Sequence, residues 1–183
     1  MKLPLRWGIA SALVLSLTAV QPASGKDTVE RVGDALQLLV PAVAYGLTFY
    51  KDDPDGRMPF YKSAGSTIAV TQVLKSTIDA ERPNGGSRSF PSGHTSAAFQ
   101  GAAFIHARYG LETAWPAYAA ASFVGYSRVD SDNHHVRDVV AGAALGIAAS
   151  FYFTPERFQA KKAMLMPYTD GKQAGLIYSR PFN

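Results

Sequence analysis

Residues Val136–Phe153 read VRDVVAGAALGIAASFYF. After Arg137 and Asp138 the stretch carries no charge, and no proline interrupts it before Pro155. An apolar, small-residue run of this length, closed by a proline, predicts an α-helix over Val136–Phe153. Its centre, Ala141-Gly142-Ala143-Ala144-Leu145-Gly146, has almost no side-chain bulk, so a neighbouring helix can approach closely. The Gly142/Gly146 spacing also matches the G-x-x-x-G pattern of membrane helix pairs. Tight packing inside a bundle is the plainer reading.

Working back toward the N-terminus, the same kind of segment recurs between polar turns. Val29–Tyr50 is expected to be a helix bent at Pro41, and Lys51–Met58 (KDDPDGRM) a turn. Phe60–Thr77 is a second helix. Asp79–Pro91 is a polar loop with Pro83, Gly85 and Gly86. A third helix runs over about Ser92–Tyr109 and stops at Gly110. A fourth covers about Thr113–Ser127, with Pro116 tolerable in its first turn. After Thr154 the chain reads as irregular, and Gly175–Phe182 (GLIYSRPF) as either a short strand or an extended end. There is no repeat and no low-complexity tract. The expectation is an all-α fold, a compact bundle of about five to six helices.

A chain of 183 residues suggests one domain. Its start reads as a secretory signal over residues 1–25. Lys2 and Arg6 precede the apolar Trp7–Val20 run, and Ala23-Ser24-Gly25 suits cleavage. The domain proper is then 26–183. That leader carries two of the 18 basic residues and none of the 14 acidic ones, so the remainder has a net charge of +2. A balance so near neutral, without a basic stripe, argues against nucleic acid as a partner. The absence of cysteine excludes a disulfide scaffold and a thiol nucleophile. After the leader, uncharged runs fall short of the ~20 residues of a bilayer span. Mean hydropathy is −0.03. The expectation is a periplasmic or otherwise exported protein that can associate with a membrane, with an uncleaved membrane anchor as the alternative to a cleaved leader.

Three stretches carry the chemistry: Lys75–Pro83 (KSTIDAERP), Pro91–His94 (PSGH) and Ser127–Asp138 (SRVDSDNHHVRD). Phosphoryl transfer spreads charge over three equatorial oxygens and needs positioned cations and donors. Lys75, Arg82 and Arg128 supply the cations; each alone would read as a solvated surface residue. Ser92 can cap the third helix or donate to phosphate. Gly93 lets backbone approach a ligand at a helix N-terminus, where amides favour an anion. His94 sits at the same end and can serve as a general acid. His134 precedes Asp138 by four residues, which places both on one face if both start the fifth helix. A carboxylate on one ring nitrogen leaves the other free as a nucleophile.

The combination resembles the three-part signature of the type 2 phosphatidic acid phosphatase family. Its pattern is K-x₆-R-P, P-S-G-H and S-R-x₅-H-x₃-D, and all eleven fixed positions are met in order. The family takes in lipid phosphatases, bacterial non-specific acid phosphatases and vanadium haloperoxidases. The resemblance implies that Lys75, Arg82 and Arg128 hold phosphate oxygens, aided by Ser92 and the Gly93 amide. It implies that His134 attacks phosphorus, oriented by Asp138. His94 would protonate the leaving alkoxide, then deprotonate the water that breaks the phosphohistidine. Its register from Ser127-Arg128 selects His134 over His135. No cofactor is implied, and no metal ligand.

Other residues read more plainly. Asp52, Asp53 and Asp55 fail the EF-hand spacing and form a solvated turn. Asp130, Asp132 and His135 lack a metal-ligand spacing. His106 sits where a helix favours a cation, and Trp115 is core or interface. The expected function is hydrolysis of a lipid phosphate or related phosphomonoester, with a soluble non-specific acid phosphatase as the close alternative. A haloperoxidase would be unusually short. From another class, a non-catalytic membrane-interaction protein would leave the intact motif unexplained, and turnover of p-nitrophenyl phosphate separates it from the enzyme readings.

Overall fold

The computed structural model describes residues 25–155 and the backbone of two short segments, 164–169 and 174–179. The expected leader lies outside the described residues except for Gly25. Among the described residues there are five helices: α1 Gly25–Tyr50, α2 Pro54–Thr77, α3 Gly93–Tyr109, α4 Leu111–Asp130 and α5 Val136–Phe153. Two strands, β1 Met164–Thr169 and β2 Ala174–Ser179, pair antiparallel with Met164 opposite Ser179. The body of the chain is the expected all-α bundle. The stretch after Thr154, expected to be irregular, holds this strand pair; Gly175–Ser179 of the GLIYSRPF segment lie in β2, and the rest of that segment lies outside the described residues.

One boundary moves for a clear reason. KDDPDGRM is mostly helix: Pro54 opens α2, where its missing N–H costs nothing and its fixed φ suits the first turn. Only Lys51–Asp53 remains as a turn. The Asp53 carboxylate accepts hydrogen bonds from Arg108 Nε at 2.8 Å, Arg108 Nη2 at 2.7 Å and Tyr109 Oη at 2.9 Å. Arg108 Nη1 also donates to the Pro155 carbonyl at 3.0 Å. This buried cluster ties the start of α2 to the ends of α3 and α5. Stranding one of its charges would cost about 3–5 kcal/mol.

α3 is the central helix. Twelve of its 17 residues are buried, including Phe104, Ile105 and four alanines. α5 lies against it backbone to backbone. A Cβ at Gly142 would stand 2.5 Å from the Ser92 carbonyl oxygen, and one at Gly146 2.4 Å from that of Ser96. The G-x-x-x-G spacing thus serves packing within the bundle. Polar contacts cross the same seam: Ser150 Oγ donates to the Gln100 carbonyl at 2.8 Å, and Gln100 Nε2 to Ser63 Oγ at 2.9 Å. Buried polar groups with partners on three helices fix their relative register.

The exterior is unusually apolar. Leu38, Leu39, Val43 and Phe49 on α1, Ile68 and Val73 on α2, Trp115 on α4, and Val140 and Phe151 on α5 are all exposed. α1 and α5 are long and apolar enough to cross a membrane, and both are mostly unburied. Membrane association is thus plausible by length and composition, although the uncharged runs themselves are shorter than about 20 residues. In α1 the charges fall in the first ten residues, and the 16 residues Ala35–Tyr50 form an uncharged run about 24 Å long.

Candidate active site

The site forms where α3 begins. Ser92 is the N-cap of α3; its Oγ accepts from the Thr95 N–H at 3.4 Å and lies 3.0 Å from Thr95 Oγ1. The Ser92 N–H donates to the Asp138 carbonyl at 2.9 Å, joining the starts of α3 and α5. Ser92 is fully buried, so its hydroxyl sits behind the cavity and acts as a cap. Gly93 and His94, one step further, line a cavity of about 420 Å³ together with Lys75, Arg82, Arg128 and His134. Six of the eight expected site residues therefore meet in one pocket. Ser92 and Asp138 support it from behind.

Each cation is held by the backbone of another segment. Lys75, in the last turn of α2, donates Nζ to the Arg88 carbonyl at 2.8 Å. Arg82 Nε donates to the Ser87 carbonyl at 3.2 Å inside a loop closed by Arg82 N–H to Gly86 O, 2.7 Å, and Ser89 N–H to Ala80 O, 2.8 Å. Arg128, at the end of α4, is 3% exposed and donates Nη2 to the Glu30 carbonyl at 2.9 Å. Its Nη1 faces Asp34 Oδ1 at 2.9 Å, so the buried fork meets a carbonyl and a carboxylate at the cavity wall.

His134 is not on α5. The helix begins at Val136 with His135 as its N-cap, and His134 belongs to the preceding turn. The Asn133 and His134 amides both donate to the Arg128 carbonyl, each at 3.0 Å, while Asp132 takes a left-handed φ of 57°. The spacing argument that placed His134 and Asp138 on one helical face therefore does not apply. Their Nδ1 and Oδ2 atoms are 3.7 Å apart, beyond hydrogen-bond range. Ser89 stands between them: its Oγ donates to Asp138 Oδ2 at 2.5 Å and lies 3.4 Å from His134 Nδ1. With its hydrogen on the carboxylate, the Ser89 oxygen accepts from Nδ1–H. That tautomer leaves the Nε2 lone pair free. Asp138 Oδ2 also accepts from the His135 N–H at 3.0 Å, so one oxygen anchors both the helix start and the serine.

Burial, then the nearby Lys75 and Arg82 charges, push the His134 pKa down to about 4. The imidazole is neutral at ordinary pH, as a nucleophile must be. Burial and Arg128 also lower the His94 pKa, while Asp34 opposes them. Lys75 is lowered by burial and by Arg82. His135 is exposed, and His106 is occupied elsewhere, its Nδ1 3.2 Å from Tyr118 Oη. No group of three or more His, Cys, Asp or Glu that could hold a metal ion occurs among the described residues.

Ser89, Asn133, Glu30, Asp34 and Gln72 were not read from the sequence. The last four line the pocket as well. Gly33 brings α1 in: a Cβ there would stand 2.0 Å from Ser127 Oγ and 3.0 Å from Arg128 Nη2. Only a glycine lets α1 lie this close to the end of α4, and it places Glu30 and Asp34 beside Arg128. The available signals were Gly33 itself within a helical run and Ser89 three residues ahead of Ser92.

Comparison with known proteins agrees with this geometry. Residues 58–161 match the PAP2 superfamily. A lipid A 1-phosphatase of Porphyromonas gingivalis is 44% identical over 70 residues, 36% of this chain and 16% of that protein. A probable lipid phosphate phosphatase 4 of Arabidopsis thaliana is 32% identical over 122 residues, 57% of this chain and 37% of that protein. The chain thus spans well under half the length of these curated relatives. A transmembrane PAP2-type phosphatidylglycerolphosphate phosphatase from Bacillus subtilis aligns with a TM-score of 0.55 at 27% identity, over 70% of this chain and 72% of that one. Aquifex aeolicus LpxE shares the fold, with a TM-score of 0.53 at 19% identity over 69% and 92% of the two chains.

Proposed function

Since the chain belongs to the PAP2 superfamily, we propose that it hydrolyses a lipid phosphomonoester through a phosphohistidine, without a metal ion. The observation that carries this is a neutral, buried His134 facing a cavity walled by Lys75, Arg82, Arg128 and the N-terminus of α3. Three cations and the first amides of a helix neutralise the transferring phosphoryl group. His134 Nε2 attacks phosphorus, with Ser89 and Asp138 fixing the tautomer. His94 gives its proton to the departing alkoxide and takes one back from the water that releases phosphate.

A lipid substrate fits the exterior. The apolar flanks of α1 and α5 leave the protein's surface suited to acyl chains, and α1 also lines the pocket through Glu30 and Asp34. The printed names of the relatives, a lipid A 1-phosphatase and lipid phosphate phosphatases, point the same way.

The test is a substrate panel with detergent-purified protein in EDTA: phosphatidate, phosphatidylglycerophosphate, lipid A, undecaprenyl diphosphate and small phosphoesters. Lipid monoesters should be turned over faster than water-soluble esters. Activity only after metal addition, or a preference for soluble esters, overturns the reading. N-terminal sequencing of the same preparation shows whether residues 1–25 are removed.

A further inference from the structure

α1 brings carboxylates into a pocket otherwise built for an anion. Asp34 Oδ1 lies 2.9 Å from Arg128 Nη1 and 3.2 Å from His94 Nε2. The oxygen itself is buried, although the Asp34 side chain is 48% exposed. The side chain thus reaches inward from the rim, and two groups of the proposed machinery stand at ion-pair distance from one of its oxygens, neither aligned as a hydrogen bond to it. Glu30, one turn earlier, is further from Arg128, at 3.8 Å, and its Oε1 is engaged by Asn133 Nδ2 at 2.7 Å. Asp34 alone contacts both the phosphate-binding arginine and the general acid.

We propose that Asp34 is a positioning residue for proton transfer. It holds the Nε2–H of His94 and the guanidinium of Arg128 on one point of the empty pocket, and yields that N–H to the oxygen of the entering ester. This rests on the phosphatase reading above. His94 faces Asp34 and Glu30 from α1, Lys75 from α2 and Arg82 from the α2–α3 loop. It also faces Arg128 from α4 and His134 from the α4–α5 turn. Apart from the two α1 carboxylates, every titratable residue among these is a cation or a neutral imidazole. Burial, Arg128 and Arg82 favour the neutral ring, and Asp34 is the charge that opposes them.

The steps balance around it. As the His134 Nε2–phosphorus bond forms, the bond from phosphorus to the alkoxide breaks, and the alkoxide takes the proton of His94 Nε2. Water then gives that nitrogen a proton as its oxygen bonds phosphorus and the N–P bond breaks. Asp34 gains and loses no proton; it favours the imidazolium at the start and end of each cycle.

Asp34→Asn keeps the shape and removes the charge. Two substrates separate its roles: p-nitrophenyl phosphate, whose phenolate departs without a proton, and short-chain phosphatidate, whose alkoxide does not. With phosphatidate, kcat should fall about tenfold; with the aryl ester it should stay within about threefold. The basic limb of kcat/KM should move to lower pH, and inorganic phosphate should inhibit more tightly because the competing carboxylate is gone. Asp34→Glu, which restores the charge, should recover part of the phosphatidate rate. Equal losses on both esters with an unmoved basic limb overturn the proposal, as does no recovery in a Glu variant with wild-type thermal melting. Wild-type protein inert toward both esters overturns the phosphatase reading and the proposal with it.

Discussion

The two walls of the pocket differ in charge, burial and origin. One is built from α2, the α2–α3 loop, the start of α3 and the α4–α5 turn. Its charged side chains are cationic, and backbone carbonyls hold them: Lys75 on that of Arg88 and Arg82 on that of Ser87, while the His134 main-chain amide donates to the Arg128 carbonyl. The other wall is α1, with Glu30 and Asp34 one turn apart. It is anionic and half-buried, and its carboxylates touch the opposite wall through Arg128, His94 and Asn133. The fixed wall, which carries the groups proposed for phosphoryl transfer, is thus faced by a second wall of opposite charge. The closest approach between them depends on Gly33.

The largest effect should come from the fixed wall. His134→Ala should lower kcat by about 10³-fold or more and leave no phosphoenzyme. His135→Ala, at an exposed helix cap, should keep its rate within about fivefold and still form one. Rapid quench with labelled substrate reads both. A phosphoenzyme in His134→Ala would dissolve the division of labour by moving the nucleophile.

Arg128→Lys probes the seam, because Arg128 belongs to one wall and is gripped by the other. It retains charge and loses the fork that spans Glu30 O and Asp34. A fall of about 10²-fold in kcat/KM is expected with little change in melting temperature. Near-normal kcat/KM would mean that charge alone matters and that the contact between walls is incidental.

The pH profile gives the smallest and sharpest readout. His134 must be neutral, so activity should be lost as pH falls through about 4. His94 must be protonated, and its pKa is lowered from 6.5, so activity should be lost as pH rises before that value. The optimum of kcat/KM then lies between those limits. An optimum above pH 7 would show that His94 is not the acid, or that the anionic wall holds it charged more strongly than burial and Arg128 discharge it.

The two walls were also unequally legible. Helices α2 to α5 announce themselves through apolar runs and turn residues, and α5 begins and ends where its sequence says. The fixed wall lies in motif residues whose short spacings survive folding. What the linear pattern could not give was the turn at Asp132–His135. There the Arg128 carbonyl draws two amides and pulls His134 off the helix, so Ser89 bridges a pair that spacing alone would have joined directly. Asp34 and Glu30 were invisible because nothing in α1 has a motif's spacing. Their role exists only after Gly33 lets one helix settle on another. The apolar exterior escaped notice because a count of uncharged residues along the chain does not say which apolar side chains the bundle leaves outside.

The contact at Gly142 has a consequence for the molecule's tolerance of change. The first atom that any side chain there would strike is the carbonyl oxygen of Ser92, 2.5 Å away. Ser92 caps the helix start proposed to seat the phosphate, and its amide donates to the carbonyl of Asp138, behind His134. The gap between two helix axes is therefore a working dimension of the catalyst. A single methyl at 142 would act as a shim, prising the anion seat from the histidine while the helices themselves persisted. Among randomly varied copies, inactive but folded proteins should carry changes at an interior glycine as well as at charged positions, and the core should be as unforgiving as the pocket.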